Sequence, residues 1–278
     1  MPAAAPLPTE DTLLAGIDFT CRPSRGKPVT VALGTRRGDV LRVDAIEALP
    51  TLDAFEAWLA TPGPWVGAFD FPFGLPREFV ASLGLGASCA EVIAAVHRSC
   101  PTRMAWRARI DAWGGTRPPG SRLLHRATDA DSGITSTSPL QTRYVPVGLM
   151  YYEGVTRLVR SGVTMPGLHD GDASRIALEG YPRRLAHALV ERRSYKNSDR
   201  PDRAATREAI VGALEAGPAS AGTSLSLDAA VRRSLVADAS GDRLDAVLCL
   251  VQAARAAQRP RYGVPHDVDP VEGWIVGG

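Results

Sequence analysis

The chain has 278 residues, of which 45% are apolar, enough for a large domain with a full core, and this excludes wholesale disorder. Its formal net charge of +2 is close to neutral, so bulk charge does not single out a polyanionic partner. No run of about eighteen apolar residues occurs, which excludes a membrane-spanning helix.

After a Pro-rich start, residues 13–19 read as the first strand. Val29–Leu33 and Val40–Val43 follow as β-branched runs, and Gly34–Asp39 between them fits a hairpin loop. Thr51–Leu59 switches to helical spacing, with Leu52, Phe55 and Leu59 on one face and Thr51 as N-cap. Gly63-Pro64 closes that helix and opens a strand ending at Asp70, predicted parallel to the first. Residues 77–170 are expected to form a mainly helical insertion. It holds helical pieces over Glu78–Leu85 and Cys89–Arg98, a Gly/Pro/Arg loop over Gly114–Gly120, a Ser/Thr-rich stretch over Ser132–Ser138 and a helix after Pro146. Long excursions between core strands usually carry function or cover a site. The core resumes with a strand over Arg175–Tyr181 and a helix from Pro182, whose ring suits a first helical turn. Ala204–Glu215 is the next helix, residues 216–224 a loop, and Gly241 onward the last long helix. The tail from Val264 carries Trp274 and Ile275 as anchors. These elements define an α/β fold, a mixed β-sheet flanked by helices with a helical insertion, in a single domain over residues 1–278.

Cys21, Cys89, Cys100 and Cys249 show neither a C-x-x-C pair nor zinc-ligand spacing and read as reduced thiols. The start, Met1–Pro8, lacks a basic segment and is broken by prolines, so it is not read as a signal peptide. Together these features predict a cytoplasmic protein.

Four carboxylates stand where an apolar segment stops or a buried helix starts. Asp18, Asp70 and Glu179 each end a short apolar run bounded by Gly or Pro, the pattern of a strand buried on both faces. Asp245 lies one turn inside a helix apolar almost all round, and so does not simply face water. A half-desolvated carboxylate is costly unless a cation or donor answers it. Several at one sheet edge make an oxygen-rich site suited to Mg²⁺ or Mn²⁺. Taken singly, each also reads as a turn residue or cap; Ser240 or Asp242 fits an N-cap, with Asp245 completing a capping box.

Arginine clusters in two stretches, Arg98–Arg126 with Asp111 as its one acid, and Arg183–Arg207 with Lys196. Lys196, Arg143, Arg107 and Arg109 are candidate phosphate contacts; the competing reading is a solvated face or pairing with nearby acids. The pairs around His169-Asp170 and His266-Asp267 sit in Gly/Pro loops and match no metal site. No G-x-S-x-G elbow, Walker A loop, strand-linked G-x-G-x-x-G or H-E-x-x-H is present.

The segments Gly16-Ile17-Asp18, Phe69–Pro76, Glu179–Pro182, Ser194–Asn197, Asp242–Ala246 and Glu272–Ile275 run nearly end to end. In that order they resemble the ribonuclease-H-like superfamily, and more closely the DUF429 family of ribonuclease-H-like nucleases. The resemblance implies a ribonuclease-H-like sheet. Asp18, Asp70 and Asp245, with Glu179 and Asp242, would act as catalytic carboxylates around Mg²⁺ or Mn²⁺. The expected function is metal-dependent hydrolysis of phosphodiester bonds in a nucleic acid, DNA or RNA. Two alternatives use the same fold: a non-catalytic nucleic-acid or protein-binding adaptor, and a nucleotide-binding protein. The second of these pairs two such domains around glycine-rich phosphate hairpins, and only one copy occurs here.

Overall fold

The computed structural model describes residues 12–130, 135–217 and 223–277; the Pro-rich start and parts of the 132–138 and 216–224 segments lie outside them. The chain opens with β1 (Leu13–Asp18), β2 (Val29–Arg37), β3 (Val40–Leu49), α1 (Leu52–Leu59) and β4 (Trp65–Phe69). Helices α2 (Arg77–Ser82), α3 (Cys89–Ser99), α4 (Arg103–Gly115), α5 (Ala127–Ala130) and α6 (Val147–Arg160) precede β5 (Val163–Thr164) and β6 (Asp172–Glu179). Then come α7 (Pro182–Val190), α8 (Pro201–Ala216), β7 (Ser224–Ser226), α9 (Ala229–Ala237) and α10 (Asp242–Ala256).

Among the described residues the strands form one mixed seven-stranded sheet, ordered β5-β6-β4-β1-β2-β3-β7. β1, β2 and β3 make an antiparallel meander, while β4 lies parallel to β1 and β6 parallel to β4. The hairpin loop is tighter than Gly34–Asp39: Gly34–Arg37 keep pairing with Val40–Val43, and the turn closes over Gly38-Asp39. Gly38 takes a φ of 57°, a left-handed conformation open to glycine without a Cβ clash. Helix α4 was not anticipated from the sequence. Thr102 caps it through the Ala105 N–H, and Trp106, Ile110 and Trp113 recur at helical spacing on its buried face.

Side chains alternate between the two faces of a strand, and that parity organises the core. Ala15 and Ile17 of β1, Trp65 and Phe69 of β4, and Ala177 of β6 pack with apolar residues of α1–α4 and α6. Leu14, Val66, Ile176 and Leu178 face the other way, against α7, α8 and α10. Helix α10 crosses the sheet directly over β1. A Cβ on Gly16 would lie 2.0 Å from both the Ala246 carbonyl oxygen and the Leu250 amide nitrogen. Gly16 therefore lets the helix approach closely enough to bring its N-terminus to the ends of β1 and β4. Gly16→Ala should destabilise the protein by about 3 kcal/mol through overpacking, read as a lower urea midpoint. An unchanged midpoint would mean that α10 can back away from the sheet at no cost.

Candidate metal centre

Leu14 and Gly16 face α10, so the next residue of that parity, Asp18, faces it too. On β4 the same series is Val66, Ala68 and Asp70. Ile17 pairs with Phe69, which sets Asp18 beside Asp70 at one edge of the sheet, and the Asp70 N–H donates to the Ile17 carbonyl at 2.9 Å.

The head of α10 arrives at this edge. Its N-cap is Gly241, at φ 80°, rather than Ser240 or Asp242. Asp238 accepts from the Ser240 and Arg243 N–H groups, and the Ser240 Oγ accepts from the Asp242 N–H. Capping is thus done by residues ahead of the helix, which frees the Asp242 and Asp245 carboxylates. Asp18, Asp70 and Asp245 each present an oxygen, and these atoms lie within 4.8 Å of one another. Asp245 is 1% exposed and Asp18 8%.

Crowding and desolvation set the electrostatics. Burial pushes Asp18 well above the usual carboxylate range; Lys196 opposes this, and Asp242 and Asp70 add to it. Burial raises Asp70 to about 6, with Lys196 again opposing and Glu179 and Asp242 reinforcing. Asp245 is answered directly. The Tyr195 hydroxyl donates to its Oδ1 at 2.5 Å, and Lys196 Nζ forms an ion pair with its Oδ2. Lys27 pairs with Asp242 at 3.4 Å. The loop bearing Tyr195 and Lys196 is pinned to the approach to α10 by Asn197 N–H to Ser240 O and Ser198 N–H to Ala239 O. Arg207, the last residue of the second arginine stretch, is buried and donates to the Tyr195 and Ser198 carbonyls beneath this loop.

Glu179 does not join the other acids. It pairs in register with Phe69, so the β6 residue in the row of Asp18 and Asp70 is Gly180, and Glu179 faces the opposite side of the sheet. Both of its oxygens are engaged there. Arg126 forks onto them at 2.6 and 2.8 Å, and the Phe73 N–H donates at 2.8 Å. Arg126 also grips Asp129 and donates to the Glu272 carbonyl. The network ties the insertion to the loop after Asp70 and to the tail, where Ile275 is buried and Val276 N–H meets Glu179 O. The expected Ile275 anchor is thus in place, with Trp274 partly buried against the core.

The acids open into a cleft of about 950 Å³. Its lining takes basic residues from the second arginine stretch, Arg183, Arg192, Arg193 and Lys196, together with Lys27, and from the first stretch Arg126, which is paired there with Glu179. Arg107, Arg109 and Arg143 are not among the lining residues. Arg107 and Arg143 instead pair with Asp111, at 3.7 and 2.8 Å, and Arg109 lies exposed on α4. Arg126 closes the first arginine stretch, but nothing in the local sequence signals its pairing with Glu179. Tyr195 lies in a motif noted above, but its contact with Asp245 spans the core and becomes visible only in the fold.

No family model, curated protein or solved structure matches the chain. Among the described residues no helix is long and apolar enough to cross a membrane.

Proposed function

We propose that this chain is a metal-dependent nuclease of ribonuclease-H-like fold, related to the DUF429 family, that hydrolyses phosphodiester bonds of nucleic acid in the cleft above Asp18, Asp70 and Asp245. The observation that carries the reading is the convergence of those three carboxylates at one sheet edge. Supporting it is the order of parts: an opening meander bearing Asp18, a parallel strand followed by Asp70, and a late helix headed by Asp242 and Asp245.

The donor set is all carboxylate oxygen, and two of its members bind protons more tightly than usual because burial desolvates them and neighbouring acids add to the cost of charge, a fit to a hard divalent cation. Asp18, Asp70 and Asp245 would hold Mg²⁺ or Mn²⁺, with Asp242 alongside. Bound there, the ion would supply an activated water and stabilise charge on the leaving oxygen. Tyr195 orients the Asp245 carboxylate. Arg183, Arg192 and Arg193 are placed to meet backbone phosphates, a contact that carries charge but no base code.

One observation favours the adaptor reading. Lys196 and Tyr195 answer Asp245 from within the fold, so part of the acid cluster is satisfied by the chain itself. A Mn²⁺ titration separates the two. The nuclease should gain about 2.7 kcal/mol at a hundredfold excess over the dissociation constant, seen as a rising melting temperature. An adaptor would melt unchanged across millimolar Mn²⁺. In a cleavage assay with Mg²⁺ or Mn²⁺, wild type should cut at least one of single-stranded, duplex or branched substrates. Cutting none would reject the nuclease.

A further inference from the structure

One aromatic ring in the cleft is not used by the fold. Tyr144 is 99% exposed and its neighbour Val145 56%, and both line the cleft that holds Asp18, Asp70 and Asp245. Large apolar surface left in water at such a place usually marks an interaction site.

The backbone that carries the ring is anchored. Tyr144 has φ 60°, a left-handed conformation that costs an L-residue with a Cβ roughly 1 kcal/mol. The segment on either side is tied down. Arg143 pairs with Asp111 at 2.8 Å, the Thr142 hydroxyl donates to the same carboxylate, and the Gly148 N–H donates to the Gln141 carbonyl at 2.8 Å. Arg143 thus acts as a buttress for its neighbour. A ring left exposed on an anchored stretch of backbone is suited to an external flat partner.

The chemistry around it says which. Phosphate-seeking Arg183, Arg192 and Arg193 share the lining, and Asp245 and Asp18 lie at 1% and 8% exposure, so a phosphodiester must enter the cleft to reach them. A duplex keeps its bases stacked and paired inside and offers a ring no free π-face. An unpaired strand offers one at every nucleotide. We propose that Tyr144 is a base-stacking platform and that the cleft takes single-stranded nucleic acid. This rests on the nuclease reading and adds the substrate class to it. Stacking of this kind tolerates any base, so the preference is for strandedness rather than sequence.

The test measures binding by fluorescence anisotropy on the full chain carrying Asp70→Asn, which keeps the probe intact, with Mn²⁺ present. The probes are a labelled oligothymidylate, an abasic strand of the same length and a duplex of the same length. The oligothymidylate should bind more tightly than the duplex. Adding Tyr144→Ala should weaken oligothymidylate binding roughly 5- to 100-fold, the equivalent of one stacked base, and Tyr144→Phe should restore it. The abasic strand should bind equally well with and without the Tyr144→Ala change, and the melting temperature should not move, because the ring contributes no burial. Equal oligothymidylate binding by the Tyr144→Ala protein, or a preference for duplex, would overturn the proposal and leave the nuclease reading standing. Failure to bind any strand would remove both.

Discussion

Replacing Asp70 with Asn should stop phosphodiester hydrolysis and at the same time make the protein harder to melt. Asn keeps the shape of the side chain but removes a charged oxygen from the site. Loss of residues that merely support metal ligands commonly costs 10- to 100-fold, so loss of a ligand itself should cost at least about a hundredfold. The stability effect follows from linkage. Asp70 is raised to about 6 in the folded chain, against about 4 in the unfolded one. Between those values the native state holds a proton that the unfolded state has released, so stability falls as pH rises through this window. Above pH 6 the loss is complete. The Asn variant escapes it and should be more stable at pH 7 by about 2 kcal/mol, since Asp70 keeps some contact with solvent. The advantage should shrink as pH falls from 6 towards 4. Thermal melts of both proteins across pH 4–8 check this, and an Asn variant less stable at neutral pH would mean that Asp70 is held by contacts stronger than the cost of burying its charge.

Removing Arg126 should have the opposite sign and a larger size. Its guanidinium is 2% exposed and answers Glu179 and Asp129, both buried as well. Arg126→Met would leave two buried carboxylates without their cationic partner, and breaking a buried ion pair from one side costs about 3–5 kcal/mol. Arg126→Lys should rescue little, because a point ammonium cannot fork onto two carboxylates and a carbonyl together. Glu179→Gln added to Arg126→Met should cost less than the sum of the two single changes, since the second change removes one of the two orphaned charges left by the first. Urea unfolding of the single and double variants measures this. Strict additivity would show that the three side chains are not one network.

The contrast between Asp70 and Glu179 shows how far the sequence could be read. Both end an apolar, Gly- or Pro-bounded run, so both were legible as strand-end acids. What separates them is one residue of register between β4 and β6, and with a period of two that places Glu179 on the other face of the sheet. Parallel register is set by packing between distant segments, which the sequence does not display. Asp245 was legible because an acid inside an all-apolar helix has nowhere polar to go except a site. Lys196 reads from sequence as a phosphate contact or a solvated loop residue, and its ion pair with Asp245 joins segments that only the fold brings together. The basic character of Arg98–Arg126 was equally plain, yet Asp111 takes up Arg107 locally, Arg126 reaches the cleft only as the partner of Glu179 and Asp129, and the other basic residues of the cleft are Lys27 and members of the later stretch. Helix α4 is hard to read from the sequence because only Trp106, Ile110 and Trp113 mark its apolar face with large side chains, and arginines, alanines and Asp111 separate them along the chain.

The most direct test of the account is Mn²⁺ binding itself, followed by the loss of the free-ion electron paramagnetic resonance signal as protein is added at pH 7.5. Wild type should remove Mn²⁺ from solution saturably, and Asp70→Asn should remove far less at the same concentration. Glu179→Gln, wherever it remains folded, should still bind, because that carboxylate belongs to Arg126 rather than to the site. Equal binding by wild type and Asp70→Asn, or no binding by either, would contradict a metal centre built from Asp18, Asp70 and Asp245.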